Sequence, residues 1–416
     1  MTLQPYSMGI GDRFGRQGRA QLEAFVQARA LGIDLVPVWN KSHREHRIIG
    51  THPAAVRAEA DAAASALGWR HSYYVDADHI TLETVNAFIP ASDFFTIDVA
   101  DYVGRSASQS DVSDFVARHR RLIGVVRIPG IERELTISDG EVAAIARKYL
   151  RAVREAGAIY RHVEAAKGRD QFITEVSIDE TDTPQTPVEL LFILAAMADE
   201  GIPAQTVAPK FTGRFNKGVD YAGDVGQFER EFAEDLAVIA FAVGEFGLPT
   251  NLKLSVHSGS DKFAIYEPIA RALRRSGAGV HLKTAGTTWL EEVAGLAASG
   301  GEGLRLVQDI YEQAHARIDE LCAPYAAVID IDRGRLPDPG EVRRWSGQEF
   351  VAALRHDPTS PAYNPHFRQL LHVAFKVAAE MGPAYLQALD AHAGVIGPLV
   401  TENLLERHIQ PLFGRL

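Results

Sequence analysis

Carboxylates, imidazoles and amines recur in this chain at the ends of short apolar runs, spaced so that they share a face. In SYYVDADHI, Asp76 and Asp78 alternate with Val75 and Ala77, and His79 follows. In FITEVSID, Glu175, Ser177 and Asp179 fall two apart. In LKLSVHS, Lys253, Ser255 and His257 oppose Leu252, Leu254 and Val256, and in GVHLKTAG His281 aligns with Lys283. A two-residue period is that of a β-strand with unlike faces. The apolar faces fit packing against helices, which turns the charged faces toward an interior where unpaired charge is costly. Such groups must neutralise one another or hold an ion. Imidazole and carboxylate together suit divalent zinc, manganese, cobalt or iron, with a position left open for substrate. Glu175, His257 and His281 are the expected ligands, with His79 or Asp78 as a fourth. Singly, each histidine reads as a buried, hydrogen-bonded side chain; the metal is implied by the set. The HREH segment at His43 lacks the spacing of a zinc-protease helix.

The elements that must position these residues alternate over positions 1–300. Strand-like runs end in polar residues before Asp12, Asn40, His79, Ala100, Asp179, Phe211, Gly259 and Gly286. Segments of helical period follow them, such as RAQLEAFVQARALG and PVELLFILAAMADEG. Eight such units predict an α/β fold, a TIM-like (β/α)8 barrel over 1–300, with functional residues at the C-terminal strand ends. Pro129-Gly130 within LIGVVRIPGIERELTIS predicts an inserted hairpin ahead of a helix from Asp139 to about Ala166. Read as a barrel strand instead, that segment would shift the count by one. Helices should close at Gly32, Gly68, Gly201 and Gly247 in the left-handed conformation. Thr288 with Glu291 should open another as a capping box. Residues 301–416 read as a helical C-terminal extension packed on the barrel.

Composition narrows the partners. The 416 residues are 46% hydrophobic and 23% charged, with a net charge of −11, which argues against nucleic acid or an anionic membrane as a general partner. A single cysteine, Cys322, excludes an intrachain disulfide and a thiolate-cluster metal site. No basic, apolar leader opens the sequence, and no apolar run approaches the roughly 20 residues that span a bilayer, so the expected location is cytoplasmic. Assembly into a homo-oligomer is compatible with these features. The loop VAPKFTGRFNKGVDY, with Lys210, Arg214 and Lys217 between glycines, suits an anionic carboxylate or phosphate, as do Lys41 and Arg44 in NKSHREH. Dinucleotide, P-loop and nucleophile-elbow fingerprints are absent from the sequence.

The segments GIGDRFG, PVWNKSHREH, YYVDADHI, DFFTIDVAD, VAPKFTGRFNKGVDY, LKLSVHSGSDKF and HLKTAGTTWLEE resemble the tagaturonate epimerase family of bacterial hexuronate metabolism. The resemblance runs over nearly the whole chain. It implies interconversion of tagaturonate and fructuronate with a divalent metal, some members also acting on the ketohexoses fructose and tagatose. The two sugar acids differ at the fourth carbon, whose hydrogen the ketone does not acidify. Without a nicotinamide fingerprint, the consistent chemistry is retro-aldol cleavage between the third and fourth carbons, rotation and re-addition. That route assigns Asp78 as acid/base, Glu175 to the metal, and Lys210 with Arg214 or Lys41 as a carboxylate clamp. Asp12, Arg13, Arg44, Lys253, Ser258 and Lys283 complete the expected substrate contacts. Two other classes stay open: an aldolase-like lyase with a Schiff-base amine on Lys253 or Lys283, and a sugar-acid binding protein without turnover.

Overall fold

A computed structural model describes residues 1–284 and 286–416; Ala285, inside the last strand segment quoted above, lies outside the described residues. The barrel strands are β1 (Tyr6–Ile10), β2 (Val36–Ser42), β3 (Tyr74–Ile80), β4 (Phe94–Asp98), β7 (Ile173–Ser177), β8 (Thr206–Ala208), β9 (Lys253–His257) and β10 (Val280–Lys283). They close in the order β1-β10-β9-β8-β7-β4-β3-β2, every pairing parallel. The remaining two strands, β5 (Gly124–Val126) and β6 (Leu135–Ile137), form a separate antiparallel pair. The Pro129-Gly130 segment is therefore the inserted hairpin, and the barrel count stays at eight.

Alternation along each strand sorts the side chains into two environments. Met8, Trp39, Val75, Phe95, Val176, Leu254 and Leu282 face the helices in one large apolar core. Leu3, Val36, Val38, Tyr74, Phe94 and Ile173 form a second, smaller cluster that plugs the lower barrel interior. Above this plug the inward positions turn polar. Such a barrel has a packed floor and a chemically equipped mouth at the C-terminal strand ends.

Gly32, Gly68, Gly201 and Gly247 all have positive φ, from 60° to 84°, at helix ends as expected. The Thr288–Glu291 capping box does not form. The helix Thr287–Ala298 follows Gly286 without a side-chain cap. Thr288 Oγ1 instead accepts from Gln21 Nε2 at 2.9 Å, and Glu291 accepts from Asn403 Nδ2 at 3.0 Å. Tertiary partners outcompete the local cap.

The helices from Gly301 onward are joined to the barrel by a buried ion cluster in the loop after β9. Asp261 is fully buried and meets Arg368 Nη2 at 2.7 Å, His356 Nδ1 at 3.1 Å and His408 Nε2 at 3.2 Å. Burial would raise the Asp261 carboxyl, but Arg368, with the two histidines, holds it well below the usual range. Among the described residues no helix is long and apolar enough to cross a membrane. Asp261→Ala strips Arg368 of its buried counter-charge and should cost roughly 3–5 kcal/mol of stability, read from urea unfolding.

Candidate active site

At the middle of the barrel interior one ammonium is caged by carboxylates. Lys283 Nζ lies 2.8 Å from Asp76 Oδ2, 3.0 Å from Asp78 Oδ1 and 3.0 Å from Glu175 Oε1. Thr96 Oγ1 bridges Asp76 and Glu175, and Thr206 Oγ1 donates to Glu175 Oε2 at 2.8 Å. Strand register explains the convergence: Asp76 sits opposite Phe94 on β4, Thr96 opposite Glu175, and Glu175 opposite Thr206. Burial alone would depress the lysine, but Asp76, Glu175 and Asp78 raise it well above its ordinary pKa. Burial would raise Glu175, yet Lys283 and His257 hold it ionised.

One step higher, two imidazoles and a carboxylate meet. One donor atom each from His79, Asp179 and His257 lies within 4.8 Å of the others. His257 Nδ1 is 3.2 Å from Asp179 Oδ2, and His79 Nε2 is 3.9 Å from Asp179 Oδ1. The opposite ring nitrogens are held by other carboxylates: His257 Nε2 by Glu175 at 2.8 Å, His79 Nδ1 by Asp78 at 2.9 Å. A carboxylate behind each imidazole is the usual way a metal-facing histidine is oriented. His79 has φ +53°, a left-handed conformation rare outside glycine, and the β3–β4 register slips between Ala77 and Ile80. A bulge with local strain re-aims a side chain, and such features concentrate at functional sites. Burial would lower the His257 imidazolium, but Asp179 and Glu175 outweigh it and raise the pKa to about 9. His79 is likewise raised, against burial, by Asp78 and Asp179.

The charges of this assembly are informative. Asp76, Asp78, Glu175 and Asp179 face Lys283 and two imidazoliums. Exchanging the two imidazolium protons for one divalent cation leaves the total charge unchanged, so the donor set fits such an ion.

The remaining expected site residues divide by position. His281 lies lower in the barrel, fully buried, with Nδ1 on Ser7 Oγ at 2.9 Å and no partner for its Nε2 among the described residues; burial lowers its pKa to about 3, so it is neutral. Glu175 stands behind His257 rather than beside Asp179 in the donor trio. Lys253, the first residue of β9, reaches the opposite end of the barrel and donates to the Gln4 carbonyl; burial lowers it to about 7. Asp12 accepts the backbone N–H groups of Phe14, Gly15, Arg16 and Gln17. Arg13 pairs with Glu45 at 3.1 Å and donates to the His372 carbonyl, while Lys41 donates to the Arg13 carbonyl at 2.9 Å. Lys210 donates to the Thr181 carbonyl, and Ser258 Oγ to the Lys283 carbonyl at 2.6 Å. Arg214 pairs with Asp330 on the surface, and Arg44 stacks over Tyr325 at the rim.

Three mouth residues had no assigned role in the sequence. Asp179 shares the face of Glu175 and Ser177, which was the available signal. Asp98, opposite Ser177 on the neighbouring strand, accepts from Ala100 N at 3.0 Å and has no cationic partner within 4.0 Å among the described residues; burial raises its pKa. Asn40 is buried, and neither atom of its amide has a partner among the described residues.

A parallel eight-stranded barrel with a charged, histidine-bearing mouth defines an α/β-barrel enzyme site. The chain matches the family model "UxaE: tagaturonate epimerase" over residues 1–382 and belongs to that family. A curated relative, the tagaturonate/fructuronate epimerase of Thermotoga maritima, is 28% identical over 431 aligned positions, covering 99% of this chain and 83% of that protein. The fold is shared with crystal structures of the fructuronate-tagaturonate epimerase UxaE from Cohnella laeviribosi. A glycerol-complexed form gives TM-score 0.82 at 22% identity, covering 99% of this chain and 82% of the other. The native form gives 0.78 at 22% identity, with the same coverage.

Because the folded pKa of His257 is raised, its stabilising contribution is complete below the unfolded value near 6.5 and is lost as pH climbs through about 9. The share of His257 is roughly 3 kcal/mol between pH 6.5 and 9.5, so His257→Gln should reduce the pH dependence of urea unfolding of the metal-free protein by about that amount, with the contribution of His79 remaining.

Proposed function

We propose that this chain interconverts D-tagaturonate and D-fructuronate by inverting the fourth carbon, with a divalent cation held by His79, Asp179 and His257. The observation that carries the cation is the carboxylate behind each imidazole, Asp78 on His79 and Glu175 on His257, which leaves one nitrogen of each ring turned to Asp179. When bound there, a divalent cation supplies Lewis acidity toward the ketone oxygen.

The protein groups account for the remaining demands. Asp98, with raised pKa and no ion pair among the described residues, is placed to take the proton of the fourth-carbon hydroxyl as the bond between the third and fourth carbons opens. The cleaved pair is an aldehyde and an enediolate. Rotation of the aldehyde presents its other face, the bond re-forms, and Asp98 returns the proton to the new hydroxyl. The unpartnered Asn40 amide, in register with Asp76, suits a sugar hydroxyl. The carboxylates behind the histidines are kept ionised at Asp78 by His79 and Lys283 and at Glu175 by Lys283 and His257.

The Schiff-base alternative is disfavoured by the same geometry. Lys283 is held charged in its cage and so is not nucleophilic, while Lys253 lies at the far end of the barrel. Borohydride reduction in the presence of fructuronate should leave the protein mass unchanged; a sugar adduct would reinstate the lyase reading.

Manganese- or zinc-loaded protein incubated with fructuronate should form tagaturonate, followed by NMR, and lose that activity on chelation. Binding without product would favour a sugar-acid binding protein. Asp179→Asn should weaken manganese binding by calorimetry and lower kcat by about 100-fold or more, whereas Asp98→Asn should lower kcat with metal binding intact.

A further inference from the structure

The site as described lacks a partner for the negative end of a sugar acid: of the basic residues first expected there, Lys210, Arg214 and Lys41 are held by other groups, and Arg44 stacks over Tyr325. Lys217 is different. Among the described residues its Nζ has no hydrogen-bond or carboxylate partner, and it lies 3.2 Å from where a side chain on Gly259 would begin. Gly259 is two residues beyond His257 and has φ +66°, so Lys217 rests against the loop that leaves the metal-facing strand.

The backbone around Lys217 is pinned from several directions. Lys262 Nζ donates to the carbonyls of Asn216 at 3.0 Å and Val219 at 2.9 Å. Gly218 N donates to Ser260 Oγ at 2.9 Å, and Arg368 Nε donates to the Gly218 carbonyl at 2.6 Å. Lys217 N itself donates to Val328 O at 2.7 Å. The SGSDK run after β9 and the C-terminal helices thus act together to immobilise one short segment. Such a backbone cradle holds a side chain in register rather than leaving it to solvent.

A second polar group meets it. His372, from the helix Pro365–Val373, is 2% exposed and its Nε2 has no partner among the described residues. A side chain on Gly286 would collide with that imidazole and with the Gly259 carbonyl, so His372 reaches the same loop junction. Its Cβ also lies 3.3 Å from where a side chain on Gly218 would begin.

We infer that Lys217 and His372 form the subsite for the carboxylate of the substrate, the ammonium pairing with the anion and the imidazole N–H donating to it, across Gly259 from the His79–Asp179–His257 group. This deepens the epimerase reading and rests on it for the identity of the ligand. It makes Lys217 a specificity-determining residue, selecting uronates over neutral ketohexoses. The C-terminal extension is then part of the binding site through His372.

Two measurements separate this inference from the reading beneath it. Turnover of fructuronate by the manganese-loaded wild type tests the epimerase reading alone. With turnover present, Lys217→Met should raise KM for fructuronate roughly 10- to 100-fold with kcat nearly unchanged, and Lys217→Arg should recover most of the loss. His372→Gln should raise KM by a smaller factor. An unchanged KM in Lys217→Met, or a fall in kcat alone, overturns the subsite. In the absence of turnover, thermal shifts with D-gluconate and D-glucitol, which differ by the carboxylate, read the same contact. A gluconate shift lost in Lys217→Met with the glucitol response retained supports the subsite. A gluconate shift that is absent in the wild type, or that survives Lys217→Met, overturns it.

Discussion

The arrangement depends on one buried ammonium. Lys283 sits among Asp76, Asp78 and Glu175 in the barrel interior, and each of those carboxylates would be expensive to bury alone. With the lysine in place, Asp78 and Glu175 can remain ionised behind His79 and His257 and fix the orientation of both rings. Gly9, on the adjacent strand, leaves room for this: a Cβ there would lie 2.9 Å from Lys283 Cγ and 3.0 Å from Asn40 Nδ2. The charge-bearing layer therefore requires small neighbours as well as matched charges.

The barrel is graded from floor to mouth. Apolar residues from β2, β3, β4 and β7 seal the lower interior, the Lys283 cage occupies the middle, and the titratable groups with fewer partners lie at the rim. Electrostatic interactions strengthen in such a setting because little water competes with them. The cost appears as local strain at His79, whose left-handed backbone is maintained by the surrounding strands.

The C-terminal helices reach this mouth rather than resting only on the outside of the barrel. Arg368, His356 and His408 converge on Asp261, and Arg368 also holds the Gly218 carbonyl. Loop geometry near the site is thus set by residues 95 to 150 positions further along the chain. A loop on a barrel rim gains precision when a packed element fixes it, since loops alone are the more mobile parts of such folds.

By itself the sequence determined the alternating strand–helix barrel pattern and the inward charged faces, because strand alternation and helix periodicity are local properties of neighbouring residues, whereas the pairing of β5 with β6 decided that the Pro129-Gly130 segment is a hairpin and that eight strands close the barrel. It could not rank residues sharing a face by height along the barrel axis. Glu175 and Asp179 both point inward, yet only the folded barrel puts Asp179, in the turn after β7, beside both imidazoles and Glu175, within β7, behind one of them. His281 and Lys253 failed to join the mouth for the same reason, each lying lower on its strand. The basic loop was legible as a group, but which cation stayed free was decided by tertiary partners: Thr181 for Lys210, Asp330 for Arg214, and no such partner for Lys217 among the described residues. Partnering is a property of three-dimensional neighbours, and the chain order of those neighbours carries little trace of it.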